Sequence, residues 1–143
     1  MYGLKTGDLL LLDYEGSGIF GWFTWLIKYF TNSKYSHIVM VLKDPEFNGK
    51  KLEGYYAWES SYNGTPDPQD GKVKIGVQIT PLTEIINHYK KEGGKIWIRR
   101  CNIPKDKSTP FTPEKLSKIH DVVYDKPYDI MPQDWIEALF RKD

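Results

Sequence analysis

Apolar and polar positions divide the chain into short alternating runs and a few stretches of helical spacing. Gly7-Asp8 followed by Leu9-Leu10-Leu11-Leu12 predicts a turn feeding a short buried strand, which Gly16-Ser17-Gly18 breaks. From Phe20 to Phe30 apolar groups lie all round, with Trp22, Phe23, Trp25, Leu26, Ile27, Tyr29 and Phe30. That distribution predicts a largely buried helix ending near Thr31-Asn32-Ser33, its aromatic stripe serving the core rather than a lipid surface. The run from Tyr35 to Leu42 alternates as a strand, with His37, Val39 and Val41 on one face and Ile38, Met40 and Leu42 on the other.

A polar loop containing Pro45, Asn48 and Gly49 separates this strand from a second one, Tyr55 to Tyr62. If the two form a hairpin, pairing Leu42 with Tyr55 sets His37 opposite Ser60, one step from Glu59. Within the second strand Ala57, Glu59 and Ser61 share a face, while Tyr56, Trp58 and Ser60 take the other. Thr65-Pro66-Asp67-Pro68-Gln69-Asp70-Gly71 reads as a loop. Val73 to Ile79 alternates as a half-buried strand, and Pro81-Leu82-Thr83-Glu84 opens a helix through Tyr89 that Gly93-Gly94 ends. Ile96 to Cys101 is a further strand. Thr112-Pro113-Glu114 starts a helix with a cap and an early proline, and Leu116, Ile119, Val122 and Val123 recur along it at helical spacing. Pro127-Tyr128-Asp129 breaks that helix, and Met131 to Phe140 forms a last one. The order predicts one α+β domain over residues 1–143: a mostly antiparallel sheet or small barrel packed by helices.

Composition narrows the function classes. A hydrophobic share of 40% with 27% charged residues is that of an ordinary globular chain able to bury a core. The net charge of +1 supplies no electrostatic footprint for nucleic acid or an anionic membrane. One cysteine, Cys101, excludes an intrachain disulfide and a Cys-rich zinc site, which fits a reducing compartment. The start Met1-Tyr2-Gly3-Leu4-Lys5 has no basic-then-apolar leader, and Ile19 to Phe30 is too short to span a bilayer and contains Lys28. A soluble cytoplasmic protein is expected, with no cofactor and no metal.

The residue that needs explaining is His37, because a core strand has no use for an imidazole at its mouth and buried polar groups must be hydrogen-bonded. Beside a carboxylate such as Glu59 it has two parts of a thiol or hydroxyl hydrolase site: a base for the nucleophile's proton and a group that orients the ring. The alternative is a hydrogen-bonded structural histidine. His88 and His120, on predicted helices, read as surface or packing residues. No His-x-x-x-His or paired-carboxylate motif makes a metal site of His37 and Glu59. Ser60 and Ser61 read as satisfying backbone groups. Tyr55, Tyr56, Trp58 and Tyr62 read as cross-strand packing, with a substrate groove as the alternative. Gly93-Gly94-Lys95 is followed by Ile96 and a strand, which argues against a phosphate-binding loop.

Gly7-Asp8-Leu9-Leu10, the aromatic helix, Thr31-Asn32-Ser33-Lys34-Tyr35-Ser36-His37-Ile38-Val39, Ala57-Trp58-Glu59-Ser60 and Lys126-Pro127-Tyr128-Asp129 occur in that order. The set resembles the permuted NlpC-like hydrolases of the YiiX type, which have a circularly permuted papain-like fold. It runs from about Gly7 to the C-terminus. The resemblance implies a cysteine hydrolase or acyltransferase of peptidase, amidase or esterase type, acting on peptides, peptidoglycan-like amides or lipid esters. It makes His37 the general base and Glu59 the residue that orients it. The family's cysteine follows the Tyr-Asp element at the start of a helix, and here no Cys or Ser follows Asp129.

Cys101 is a poor substitute, since it falls at a strand end rather than at a helix N-terminus, and only Arg99 of the two neighbouring arginines shares its side. Two readings therefore stand. In one, Arg141-Lys142-Asp143 marks a truncation, and the cysteine lies in a missing C-terminal segment or in a partner chain. In the other, the domain is a noncatalytic structural or interaction module. Related domains occur in bacteria and large DNA viruses, so this second form includes a virion or assembly component.

Overall fold

A computed structural model of the protein describes residues 3–14, 24–25, 27–29, 31–62, 64–104 and 107–127. Seven strands occur among them: β1 (Leu9–Asp13), β2 (His37–Lys43), β3 (Glu46–Phe47), β4 (Lys50–Lys51), β5 (Tyr55–Ser61), β6 (Gly76–Pro81) and β7 (Lys95–Arg99). Helix α1 (Leu82–Lys91) follows β6 directly, and α2 (Pro113–Val123) comes after β7. The fold is α+β. Five strands make one antiparallel sheet in the order β6-β5-β2-β1-β7, and β3 and β4 form a separate small hairpin. Among the described residues β6 and β7 are not paired to each other, so the sheet is open rather than a small barrel.

Alternation gives each face of this sheet its own core. On one face Leu10, Leu12, Val39, Val41 and Ala57 pack beneath Leu82 and Ile85 of α1. On the other, Leu42, Trp58 and Ile79 pack against Phe47 of the small hairpin and Leu116 of α2. Helix α1 begins where Pro81 ends β6, because proline at the helix entrance needs no amide hydrogen. Thr112 caps α2, its hydroxyl accepting from the Lys115 amide, and Pro113 occupies the first turn.

The hairpin register differs from the expected one. Leu42 pairs with Tyr56 and Lys43 with Tyr55, one residue away from a Leu42–Tyr55 pairing. The small β3–β4 hairpin inside the connection explains the shift. It turns through Asn48 and Gly49, both with positive φ. Its base closes where the Asp44 amide donates to the Gly54 carbonyl and the Gly54 amide to the Asp44 side chain. A one-residue slip reverses every side chain of one strand relative to the other. The observed register puts Val41 across from Ala57, so His37, Val39 and Val41 share a face with Ala57, Glu59 and Ser61.

Three other elements depart from the pattern. Residues 24, 25, 27–29 and 31 are helical, but Trp25 and Tyr29 are exposed and stack on each other at 5.3 Å instead of entering the core. The strand expected from Val73 starts only at Gly76, leaving Val73 and Ile75 exposed. β7 spans Lys95–Arg99, so Cys101 lies beyond its end. The expected last helix, Met131 to Phe140, lies outside the described residues, as do Tyr128 and Asp129. Among the described residues no helix is long and apolar enough to cross a membrane.

Gly76 marks where the C-terminal part of the chain returns to the sheet. It has φ +145°, and a Cβ there would collide with the Lys126 carbonyl and Pro127. The Val77 amide donates to Lys126 O at 2.9 Å, and Gly76 bridges to Pro127. Segment 126–127 thereby covers the start of the β6 edge.

Candidate active site

β2, β5 and β6 each contribute one side chain to a chain of hydrogen bonds on the α1 face. His37 opens β2, Glu59 sits in the middle of β5, and Thr80 is near the end of β6. His37 Nε2 and Glu59 Oε2 are 2.7 Å apart, and the Thr80 hydroxyl donates to Glu59 Oε1 at 2.8 Å. The carboxylate side chain is 1% exposed and the imidazole 23% exposed. A buried carboxylate is stable only when its lone pairs are satisfied, and here both oxygens have a donor. Because Glu59 accepts, the hydrogen on the neutral ring sits on Nε2. Nδ1 then carries the free lone pair. The oriented ring, reachable from outside and backed by a buried charge, is the arrangement a general base needs.

The register explains how the pair forms. Met40 pairs with Trp58, so His37 falls level with Ser61 and diagonal to Glu59 on the same face, within reach of a long side chain. Ser61 Oγ accepts from Gln78 Nε2 at 2.8 Å and is committed there, while Ser60 belongs to the opposite face. Tyr89 of α1 packs against the core on this face and feels the Glu59 charge. Burial, and then the Glu59 charge, push its phenol above the ordinary range, so it stays neutral at physiological pH.

Thr80, Gln78 and Tyr89 were not singled out by sequence. Two polar residues at alternate positions of an otherwise apolar strand, Gln78 and Thr80, were the available signal. Glu59 faces Gln78 directly in the β5–β6 ladder, and both are buried.

Cys101 is placed elsewhere. Leu12 pairs with His37 at one end of β1, and Leu9 pairs with Arg99 near the other. Cys101 lies two residues beyond Arg99, which puts it level with Gly7, five residues along β1 from His37's partner. At about 3.4 Å per residue the gap is about 17 Å, before the lateral distance between strands is added. The Cys101 amide donates to Asp8 Oδ1 at 2.9 Å, where the buried Asp8 also holds the Lys5 amide and Arg100. This corner joins the N-terminal turn to the end of β7 and is remote from the imidazole.

Of the remaining histidines, His88 is exposed beside Tyr14 and Tyr89, as expected of a surface residue. His120 is on the inward side of α2 and is buried. Trp58 is buried against Phe47, in keeping with packing, and Tyr62 is exposed. Among the described residues no group of three or more His, Cys, Asp and Glu is arranged to hold a metal ion. Comparisons of the chain with protein-family models, with curated proteins and with solved structures give no match.

Proposed function

We propose that the chain is a permuted NlpC-like domain in which His37 is the general base of a thiol-dependent hydrolase or acyltransferase and Glu59 orients it. The observation that carries this reading is the 2.7 Å contact between a part-exposed imidazole and a buried carboxylate. Thr80 adds support, because it occupies the second carboxylate oxygen and so restricts Glu59 to one orientation.

In the reaction Nδ1 of His37 takes the thiol proton. The thiolate attacks the carbonyl carbon of an amide or ester, and the imidazolium returns the proton to the leaving nitrogen or oxygen. Water or another acceptor then cleaves the acyl-thioester with the same base. Glu59 holds the ring and stabilises the imidazolium without itself being protonated. The thiol comes from sequence following the Tyr128-Asp129 element beyond these 143 residues, or from a partner chain. The position of Pro127 supports that route. It is bridged to Gly76, which pairs with Ser61, level with His37, so Pro127, the last described residue, stands at the dyad's end of the sheet.

One observation favours a second reading, a noncatalytic interaction module: the only cysteine of the sequence stands at the far end of the sheet. Intact-mass analysis of the natural product together with its reading frame, followed by alkylation with an acyl-mimetic electrophile, separates the two. The hydrolase reading expects a thiol outside this stretch that reacts at least tenfold faster than in His37→Ala. A reading frame that ends at Asp143, with no thiol-bearing partner co-purifying, leaves the interaction module.

A further inference from the structure

A second polar site lies on the opposite face of the sheet. A cavity of about 330 Å³ opens between the β3–β4 hairpin, the loop around Gln69 and the last turn of α2. His120 forms part of its wall. The imidazole is stacked on Phe47 with ring centroids 4.5 Å apart and tilted against Tyr124 at 4.9 Å.

Which of its nitrogens carries a hydrogen is set by hydrogen bonds that begin in the core. Asp67 is fully buried and accepts from the Gln69 amide at 2.8 Å, the Ile79 amide at 3.1 Å and the Lys74 ammonium at 3.3 Å. A carboxylate can only accept, so Gln69 turns its Nε2 toward it, 3.1 Å from each oxygen, and its Oε1 away. Oε1 meets His120 Nε2 at 2.5 Å, so that nitrogen carries the ring's hydrogen. Nδ1 is left as a bare lone pair, buried and without a hydrogen-bond partner among the described residues. The neighbouring ionisable oxygen, Asp121 Oδ1 at 3.6 Å, is another acceptor, held in place by Asn48 Nδ2 at 2.8 Å.

A buried acceptor left empty is unfavourable, and two acceptors side by side cannot satisfy each other. A group with at least two N–H donors would complete both, and a positive charge on it would suit Asp121 and the aromatic rings lining the cavity. Lys50 reaches the cavity too, but its ammonium is held by the carbonyls of Pro68 and Gln69. Lys74 behind the wall is shared among Asp67, Asp70 and Asp125. With Asp121, four carboxylates stand against two ammonium groups around the site. An anionic ligand would face Asp121 and the lone pair of Nδ1.

We propose that this cavity binds a guanidinium or primary ammonium group, one N–H donated to His120 Nδ1 and another to Asp121 Oδ1. The site is independent of His37 and Glu59. Titrating the full chain with methylguanidinium while following the His120 imidazole nitrogens by NMR tests it, with tetramethylammonium, which has no N–H, as the control. A saturable shift of Nδ1 with methylguanidinium alone is expected, weakened at least tenfold by Asp121→Asn. Asp121 is an exposed position, so that variant keeps the fold, to be checked by an unchanged Tm. An equal shift with tetramethylammonium, or affinity unaltered by Asp121→Asn, overturns the proposal, as does a response to Zn²⁺ without one to methylguanidinium. A second arm compares methylguanidinium with the peptide Gly-Gly-Arg-Gly-Gly. Tenfold tighter peptide binding assigns the cation to a polypeptide side chain, and equal binding assigns it to a free small molecule.

Discussion

Replacing Lys74 by methionine removes a buried ammonium from among three carboxylates. The Lys74 side chain is 6% exposed, with Nζ 2.9 Å from Asp70, 3.3 Å from Asp67 and 3.6 Å from Asp125. Its cation also lies 4.3 Å from the Tyr124 ring centroid. Burial alone would raise the pKa of Asp70, but hydrogen bonds from Tyr124, Lys74 and the Lys72 amide bring it down from 3.8 to about 2. At 1.36 kcal/mol per unit, that depression is worth about 2 kcal/mol of stability. Lys74 supplies part of it, and its removal also strands the Asp67 charge, so about 3–5 kcal/mol should be lost at pH 7. A domain of ordinary stability, about 5–15 kcal/mol, would lose a fifth or more of its margin.

The pH dependence has a definite sign. Asp70 has its folded pKa below the unfolded one, so its contribution is complete above about pH 4 and is lost as pH falls toward 2. Lys74 is raised, its carboxylate partners outweighing burial, so its contribution is present below pH 10.5 and declines only in strong alkali. Urea denaturation of wild type and Lys74→Met at pH 7 and across pH 2–5 measures both effects. The variant should be less stable at pH 7 and show a shallower acid slope. A loss under about 1 kcal/mol at pH 7, or an unchanged slope, would refute the reasoning.

Glu59→Ala takes the acceptor from both His37 and Thr80 and should cost about 2–3 kcal/mol in denaturant titration, with the His37 ring nitrogens losing their single-tautomer NMR signature. Thr80→Val should cost about 1 kcal/mol and leave the His37–Glu59 bond detectable; loss of that bond would show Thr80 to be indispensable for the geometry. Asp8→Ala frees two part-buried amide hydrogens and Arg100, with an expected loss of roughly 2 kcal/mol at neutral pH. Burial would raise the Asp8 carboxyl, but the Cys101 and Lys5 amides and Arg100 hold it below its ordinary value, so wild type should lose that contribution as pH falls below 4 while the variant does not. Gly76→Ala should detach segment 126–127 from β6, read as faster hydrogen exchange at the Val77 amide; unchanged protection would mean the steric conflict is relieved elsewhere.

The parts of the fold legible in the sequence are those set by local chemistry. Alternation placed His37 and Glu59 on strands, and Thr112-Pro113 marked the start of α2, because caps and side-chain periods act within a few residues. Register was not legible. It depends on how Asp44 and Gly54 close the base of the β3–β4 hairpin, and the expected pairing would have put the imidazole and the carboxylate on opposite faces. Which side of α2 turns inward was not legible for a similar reason. The stripe Leu116, Ile119, Val122 and Val123 predicts the buried side of α2, yet Ile119 and Val122 are exposed. Leu116, His120 and Val123 turn inward instead, at a spacing equally helical, because Phe47 of the small hairpin supplies the surface they pack on. Trp25 and Tyr29, apolar positions that predict a buried helix, are exposed as well.

His37, Glu59 and Thr80 stand on β2, β5 and β6, neighbours in the sheet, and all three lie between positions 37 and 80. Their geometry is therefore made by two adjacent strand pairings and closes no loop longer than that segment. β1 and β7 add to this unit at the β2 side, outside the two pairings that align the three residues. A chain rearranged by moving its termini keeps the imidazole–carboxylate pair intact as long as neither new end falls inside those three strands. The pair is in this sense portable: what it is presented with is decided by the connectivity around it, while its own alignment is inherited whole.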